Sequence, residues 1–222
     1  MAKHRDQEYG QALFDKLQQL VAAANGDRPK SMALASSQHS ELRKMKKFRF
    51  QLLHRWLVEH FAPCRVADIG GGKGLLCYLL QHSGWQATLI DPIQQSLPDK
   101  YKDISSGKRI KIAPTEQVQR IDKPFDVAMA RHFDLLVGLH AHGCNAGIID
   151  VAAETGCGFV LFPCCVIDEP FYPRLGVQWL ESVADYALYR GHTLYPFRLN
   201  FKGQNIGLCA PGSRTVIRRK NL

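Results

Sequence analysis

Val66-Ala67-Asp68-Ile69 runs directly into Gly70-Gly71-Gly72-Lys73-Gly74, and no other stretch of the 222 residues restricts the fold so strongly. A short apolar run that breaks into an acid and then glycines reads as the end of a buried parallel strand turning into a helix. Backbone can approach a nucleotide-like ligand there with no Cβ atoms between. The residues that follow agree. Leu75 to His82 reads as a helix stopped at Gly84, and Ala87-Thr88-Leu89-Ile90 is a second apolar strand closed by Asp91. The competing reading is a tight strand-to-helix turn with no ligand. Phosphate is the poorer ligand, because a P-loop lysine is followed by Ser or Thr, whereas Lys73 is followed by Gly74 and Leu75.

The length suits one α/β domain plus an extension, and 45% hydrophobic residues can fill its core. Residues 1–40 read as an N-terminal helical extension and connector, and 41–222 as the main domain. Met1 to Asp6 lacks the apolar core of a signal peptide, and apolar runs such as Phe159 to Phe162 are too short to span a bilayer. A cytosolic protein with no membrane partner is expected. The seven cysteines include no C-x-x-C, so neither a disulfide framework nor a zinc knuckle can be read from spacing.

A formal net charge of +9 attracts polyanions by counterion release. The excess is concentrated. Arg43, Lys44, Lys46, Lys47 and Arg49 precede the glycine loop, and Arg214, Arg218, Arg219 and Lys220 close the chain. Lys44, Lys46 and Lys47 are the candidate substrate contacts, to RNA; the plain alternative is a solvated helix face and a soluble tail.

Leu13, Leu17, Leu20 and Val21 share one face of a first helix ending near Asn25-Gly26, before a polar connector. Leu42, Met45, Phe48, Leu52, Leu53, Trp56 and Leu57 recur at helical spacing until Pro63. Phe48 and Trp56 lie on that stripe, which makes them core rather than base-stacking platforms. Further strands are expected at Arg109 to Ile112, at Phe133 to Leu139 and at Gly158 to Phe162, with Phe125 to Ala130 a helix or an added strand. Helices are expected at Ile148 to Glu154 and about Leu175 to Tyr189. Thr193 to Phe201, Asn205 to Cys209 and Thr215 to Arg219 read as late strands around the turn Ala210 to Ser213. Strands separated by helices imply an α/β, Rossmann-like, doubly wound and mostly parallel sheet.

The alternate glycines behind Asp68 resemble motif I of the class I S-adenosylmethionine-dependent methyltransferases. The resemblance implies a seven-stranded sheet with an antiparallel C-terminal hairpin, and S-adenosylmethionine as cofactor. Asp68 would then contact its cationic methionine end, and Gly70, Gly72 and Gly74 would admit its body. Asp91 would hold the ribose hydroxyls, and Thr115 and Glu116, at the exit of the third strand, would lie near the adenine. Leu139-His140-Ala141-His142-Gly143 with Pro163-Cys164-Cys165, and Lys46-Lys47 before motif I, are similar to a subgroup with Leu-His-Ala-Cys-Gly-Asp and Pro-Cys-Cys. That subgroup includes tRNA 2′-O-methyltransferases. The likeness runs from about Lys44 to Cys165 and departs at His142, Cys144 and Gly147.

Strands four and five are neighbours in such a sheet, so the histidine cluster and the cysteine pair can converge beside the cleft. His140 is a candidate both for the cofactor wall and for a general base, since imidazole titrates near neutral pH. Cys164 or Cys165 is a candidate nucleophile adding to a pyrimidine ring. A third reading binds zinc with His140, His142, Cys144 and the cysteine pair. The plainest has them as small residues closing the pocket. A methyltransferase acting on RNA, either tRNA or rRNA, is the leading expectation. A small-molecule or protein methyltransferase, or a non-catalytic nucleic-acid-binding protein on the same fold, are the alternatives.

Overall fold

The central strands of this chain form at apolar runs of about five residues, too short for a helix and too apolar for a loop. The computed structural model describes residues 2–25 and 48–218, with backbone alone for 2–9. The elements are α1 (Ala2–Asn25), α2 (Arg49–His60), β1 (Arg65–Ile69), α3 (Leu75–Gln81), β2 (Gln86–Ile90), β3 (Lys100–Lys102), β4 (Arg109–Lys111), β5 (Arg120–Ile121), β6 (Leu135–Leu139), α4 (Asn145–Thr155), β7 (Gly158–Phe162), α5 (Trp179–Tyr189), β8 (Tyr195–Arg198) and β9 (Ile206–Ala210). A 3-10 helix covers Val127–His132, the helical alternative of the two expected there.

Seven strands make one sheet in the order β5-β2-β1-β6-β7-β9-β8. Strands β5, β2, β1, β6 and β7 are parallel, and β9 runs antiparallel to both its neighbours. The mostly parallel, doubly wound sheet with an antiparallel C-terminal hairpin is therefore present. Strands β6 and β7 are buried at every position, as parallel strands covered on both faces must be. Leu17 of α1, Ile148 of α4 and Val183 of α5 pack with Ala67 and Leu136 on one face, while Leu53 of α2 and Leu76 of α3 pack with Val66 and Val137 on the other.

The expected apolar stripe of α1 is seated in that core, and Lys16 adds an ion pair to Glu181 at 2.7 Å. In the second stripe Phe48, Leu52, Leu53, Trp56 and Leu57 are buried, while Leu42 and Met45 lie outside the described residues. Trp56 stacks on Phe197 with ring centroids 3.8 Å apart, which confirms these aromatics as core. Among the described residues no helix is long and apolar enough to cross a membrane.

Three expectations need correction. Arg109 to Ile112 is not the third strand of the main sheet: Arg109–Lys111 pairs antiparallel with Lys100–Lys102 in a separate two-stranded ribbon. Its Arg-Ile-Lys pattern leaves all three residues exposed, which a doubly covered sheet cannot accept. The sheet edge is instead the two-residue β5, paired with Leu89 and Ile90. Of the strand expected at Thr215 to Arg219, the described residues 215–218 contribute a single bridge, Ile217 to Phe61, and the C-terminal hairpin turns between β8 and β9 rather than at Ala210 to Ser213. Helix α5 starts at Trp179, later than the periodicity suggests, because Gly176 holds a left-handed φ of 79°. Glu181 receives the Gln178 N–H there at 3.3 Å.

The sheet's packing leaves no room at Gly207, where an added Cβ would stand 2.5 Å from Phe197 Cζ and 2.8 Å from Phe162 Cζ. Gly207→Ala should cost about 1–3 kcal/mol by overpacking. Urea unfolding would show it as a lower midpoint at unchanged slope, and an unaltered midpoint would refute this account of the core.

Candidate functional site

The strand order reverses at β1, with β2 on one side and β6 on the other, and ligands of doubly wound sheets bind outside the carboxyl ends of the strands at such a point. A cleft of about 670 Å³ lies there. Its floor is Gly70 to Lys73 with Leu75, and one wall is Leu139, His140 and His142. Arg49 to Gln51 of α2, Gln95, Pro98 and Lys100 to Lys102 form the other side.

The glycine loop is tied to both neighbouring strands. Gly70 donates its N–H to Ile90 O at 2.8 Å, and a Cβ on it would press Ala141 Cβ at 3.2 Å, so loop and β6 exit touch. Gly72 has φ of 58°, and a Cβ there would meet only Gln95 Nε2 at 4.0 Å, so backbone alone covers that part of the floor. Asp91 fixes the geometry: its Oδ2 accepts the Gly72 N–H at 2.8 Å and its Oδ1 accepts the Ile93 N–H at 2.8 Å. Asp91 is itself only 7% exposed and stands behind the cleft lining rather than in it, though each of its oxygens keeps a second lone pair.

Asp68 sits beneath the loop, 1% exposed, and does not line the cleft. Its Oδ2 accepts the Cys77 N–H at 3.2 Å, while Oδ1 is buried with no hydrogen-bond partner among the described residues. Burial, with the nearby Asp91 charge, pushes its carboxyl up to about 7. Gly74 opens α3 and packs on Leu89 and Val118, also away from the cleft. Thr115 is exposed, and Glu116 is half-exposed with Oε2 4.0 Å from His82 Nε2; neither lines the cleft.

His140 does line it, in a left-handed conformation with φ of 64°. Its Nε2 lies 3.1 Å from Gln204 O, and because a carbonyl only accepts, Nε2 carries the proton. His142, also on the wall, turns to the cysteine pair: Nδ1 is 2.8 Å from Cys165 Sγ and Nε2 is 3.9 Å from Cys164 Sγ. Burial pushes the Cys164 thiol up to about 11, against the thiolate that a nucleophile needs. Lys44, Lys46 and Lys47 lie outside the described residues.

Sequence reasoning missed the wall opposite His140. Gln51 of α2 is buried, donating to Lys102 O at 2.8 Å and accepting from Ile104 N at 2.8 Å, so it holds the β3–β4 ribbon against the cleft. A glutamine inside an apolar helical stripe was the available signal. Glu169 was also missed. Its Oε1 accepts from the Asn145 N–H at 2.9 Å and its Oε2 from the Ala146 N–H at 3.1 Å, capping α4.

No family model matches the chain. Over 104 residues it is 33% identical to a protein of Caenorhabditis elegans named probable tRNA (uracil-O(2)-)-methyltransferase, covering 46% of this chain and 17% of that one. A Caenorhabditis briggsae protein of the same name is 31% identical over 107 residues, with the same coverage. The matched stretch is thus about a sixth of either relative's length. Among solved structures, the 1,6-didemethyltoxoflavin-N1-methyltransferase of Burkholderia thailandensis, with bound 1,6-didemethyltoxoflavin and S-adenosylhomocysteine, superposes with a TM-score of 0.42 at 14% identity, covering 96% of this chain and 90% of that one. A likeness at that score carries nothing about chemistry.

The buried Asp68 gives the site a pH signature. With its pKa raised from 3.8 to about 7, the folded chain keeps a proton that the unfolded chain has released. The stabilisation from Asp68 is therefore whole below the unfolded value and is lost as pH rises through the folded one. Asp68→Asn, which cannot ionise, should gain in melting temperature relative to the parent between about pH 5 and pH 8. A difference that stays flat across that range would refute the buried, unpaired carboxylate.

Proposed function

We propose that the chain is an S-adenosylmethionine-dependent methyltransferase acting on RNA. The observation that carries the cofactor reading is the bond from the Gly72 N–H to Asp91 Oδ2 at 2.8 Å, which joins a side-chain-free floor to an acid at the end of β2. The residues fit the group: Gly70 and Gly72 admit its body, and Asp91 retains lone pairs for two ribose hydroxyls. When bound, that cofactor supplies a methyl group on a cationic sulfur. Asp68 serves this site by pinning the loop to α3 from below, and Gly74 by starting that helix.

The rim favours a polyanionic acceptor. Arg49, Lys73, Lys100 and Lys102 line the cleft, and Lys108, Arg109 and Lys111 continue the positive surface along the exposed ribbon. None of the five ribbon cations has a carboxylate within 4.0 Å among the described residues, so phosphates can take their place as counterions. Tyr101, between two of these lysines on the cleft wall, offers a face for base stacking. The two worm relatives carry tRNA in their names, which supports tRNA within the RNA class. His140, on the cleft wall with Nε2 3.1 Å from Gln204 O, is the imidazole placed to assist removal of the acceptor's proton.

Two measurements test the two halves separately. Calorimetry should show S-adenosylmethionine binding to the parent and at least about tenfold weaker binding to Asp91→Ala, as expected when two charge-assisted hydrogen bonds are removed. No binding by the parent would remove the cofactor reading. Changing Lys100, Lys102, Arg109 and Lys111 to Ala should lower the slope of log affinity for RNA against log salt by about 0.7 for each phosphate that is no longer neutralised. An unchanged slope, or labelled methyl groups appearing in protein or metabolite pools rather than RNA, would overturn the acceptor.

A further inference from the structure

We propose that His142, Cys164 and Cys165 form a zinc site on the wall of the cleft, with three protein ligands and a fourth position left for a donor from solution or substrate. One donor atom from each residue lies within 4.8 Å of the others. The two Sγ atoms are 3.7 Å apart, and Cys164 Sγ is 3.9 Å from His142 Nε2. Around a tetrahedral ion with Zn–S of about 2.3 Å and Zn–N of about 2.0–2.1 Å, two sulfurs stand about 3.8 Å apart and sulfur and nitrogen about 3.6 Å apart. The sulfur–sulfur edge is thus already near its coordinated length. An ion takes only one imidazole nitrogen, and since Cys164 Sγ faces Nε2 while Cys165 Sγ faces Nδ1 at 2.8 Å, the exposed ring must turn so that one nitrogen, within 4.8 Å of both sulfurs, serves both.

The donors come from two loops, after β6 and after β7, and those loops are fastened together independently of any ion. Glu169 reaches from one to cap α4 at the end of the other, accepting from the Asn145 and Ala146 N–H groups at 2.9 and 3.1 Å. Gly143 has φ of 67°, and a Cβ on it would stand 2.8 Å from Asp168 Cβ and 3.1 Å from Asp168 O. A site whose supports are already closed loses little conformational freedom when an ion enters. Two thiolates and one imidazole suit zinc by softness, and three ligands with an open position is the composition of substrate-accessible rather than purely structural zinc sites.

The same geometry narrows the wider cluster suggested by sequence. His140 turns its Nε2 to Gln204 O, and Cys144 stands outside the group of mutually close donors. Because His142 also lines the cleft, an ion here would present its fourth position to whatever enters. The site stands or falls without reference to the reaction proposed above.

Untagged protein purified without chelator, and reduced protein reconstituted with zinc and desalted, should each contain one zinc per chain by elemental analysis. Cobalt in its place should give tetrahedral ligand-field bands in the visible and a thiolate charge-transfer band in the near ultraviolet. His142 is exposed, so His142→Gln keeps the fold and should weaken zinc binding at least about tenfold. Cys164→Ser with Cys165→Ser should abolish both zinc and the charge-transfer band, whereas Cys64→Ser should retain them. Reduced protein that takes up no zinc, or a double serine variant that holds it as tightly as the parent, would overturn the site. Calorimetry with S-adenosylmethionine on the same samples reads the cofactor site separately.

Discussion

Backbone groups in the middle of a doubly covered sheet have no water to bond, and this constraint organises the rest of the molecule. Strands β6 and β7 are wholly buried, and β1 and β2 are buried after their first residue. Such strands satisfy their amides only in parallel ladders and hide both faces only beneath helices, so α1, α4 and α5 take one face and α2 and α3 the other. No polar chemistry can be placed inside that sandwich without cost. It collects where the ladders end, and because the strands are parallel the exits of β1, β2, β6 and β7 all open on one side.

Asp68 marks the boundary of that rule. Its carboxylate lies on the buried side, where burial and the Asp91 charge favour the neutral acid, while Asp91 stands one strand away with both oxygens bonded to backbone N–H groups. Two acids that look alike in sequence therefore do different work. One holds the end of β1 to α3, and the other holds the Gly72 amide of the loop. The division follows from burial, which pushes the Asp68 carboxyl up, and from where each set of bonds leads: Asp68 is bonded to the Cys77 N–H of α3, whereas Asp91 is bonded to the Gly72 and Ile93 N–H groups.

Strands β1, β2, β6 and β7 were legible in the sequence because each is a continuous apolar run with a sharp end, and the floor and Asp91 were legible with them. The ribbon was legible as a strand but not as to its partner. Arg109-Ile110-Lys111 has an alternating pattern, and only the pairing with Lys100 to Lys102 shows that it leaves the sheet. The true edge, Arg120–Ile121, is too short to have a period at all. Gln51 escaped notice for a different reason: its stripe is apolar, and its two bonds to the ribbon backbone depend on a tertiary contact 51 and 53 residues away. The convergence of His142 with the cysteine pair followed from strand adjacency. Which histidine would turn to it did not, because that is decided by backbone torsion at His140, whose φ of 64° no pattern predicts for a non-glycine residue.

A left-handed histidine costs about 1 kcal/mol or more, and it persists only where its surroundings hold it. Here Gly70 approaches Ala141 so closely that a Cβ on it would stand 3.2 Å from the Ala141 Cβ, and Gly143 lies as near to Asp168, so the segment His140 to Gly143 has neighbours at both ends that leave it little room. Both histidines stay on the cleft wall but take different partners, His140 the Gln204 carbonyl and His142 the thiols. A relaxed, extended segment would place residues 140 and 142 on one face, since side chains two apart in a strand point the same way. The left-handed turn at His140 therefore breaks the alternation that would have given the two imidazoles one set of neighbours.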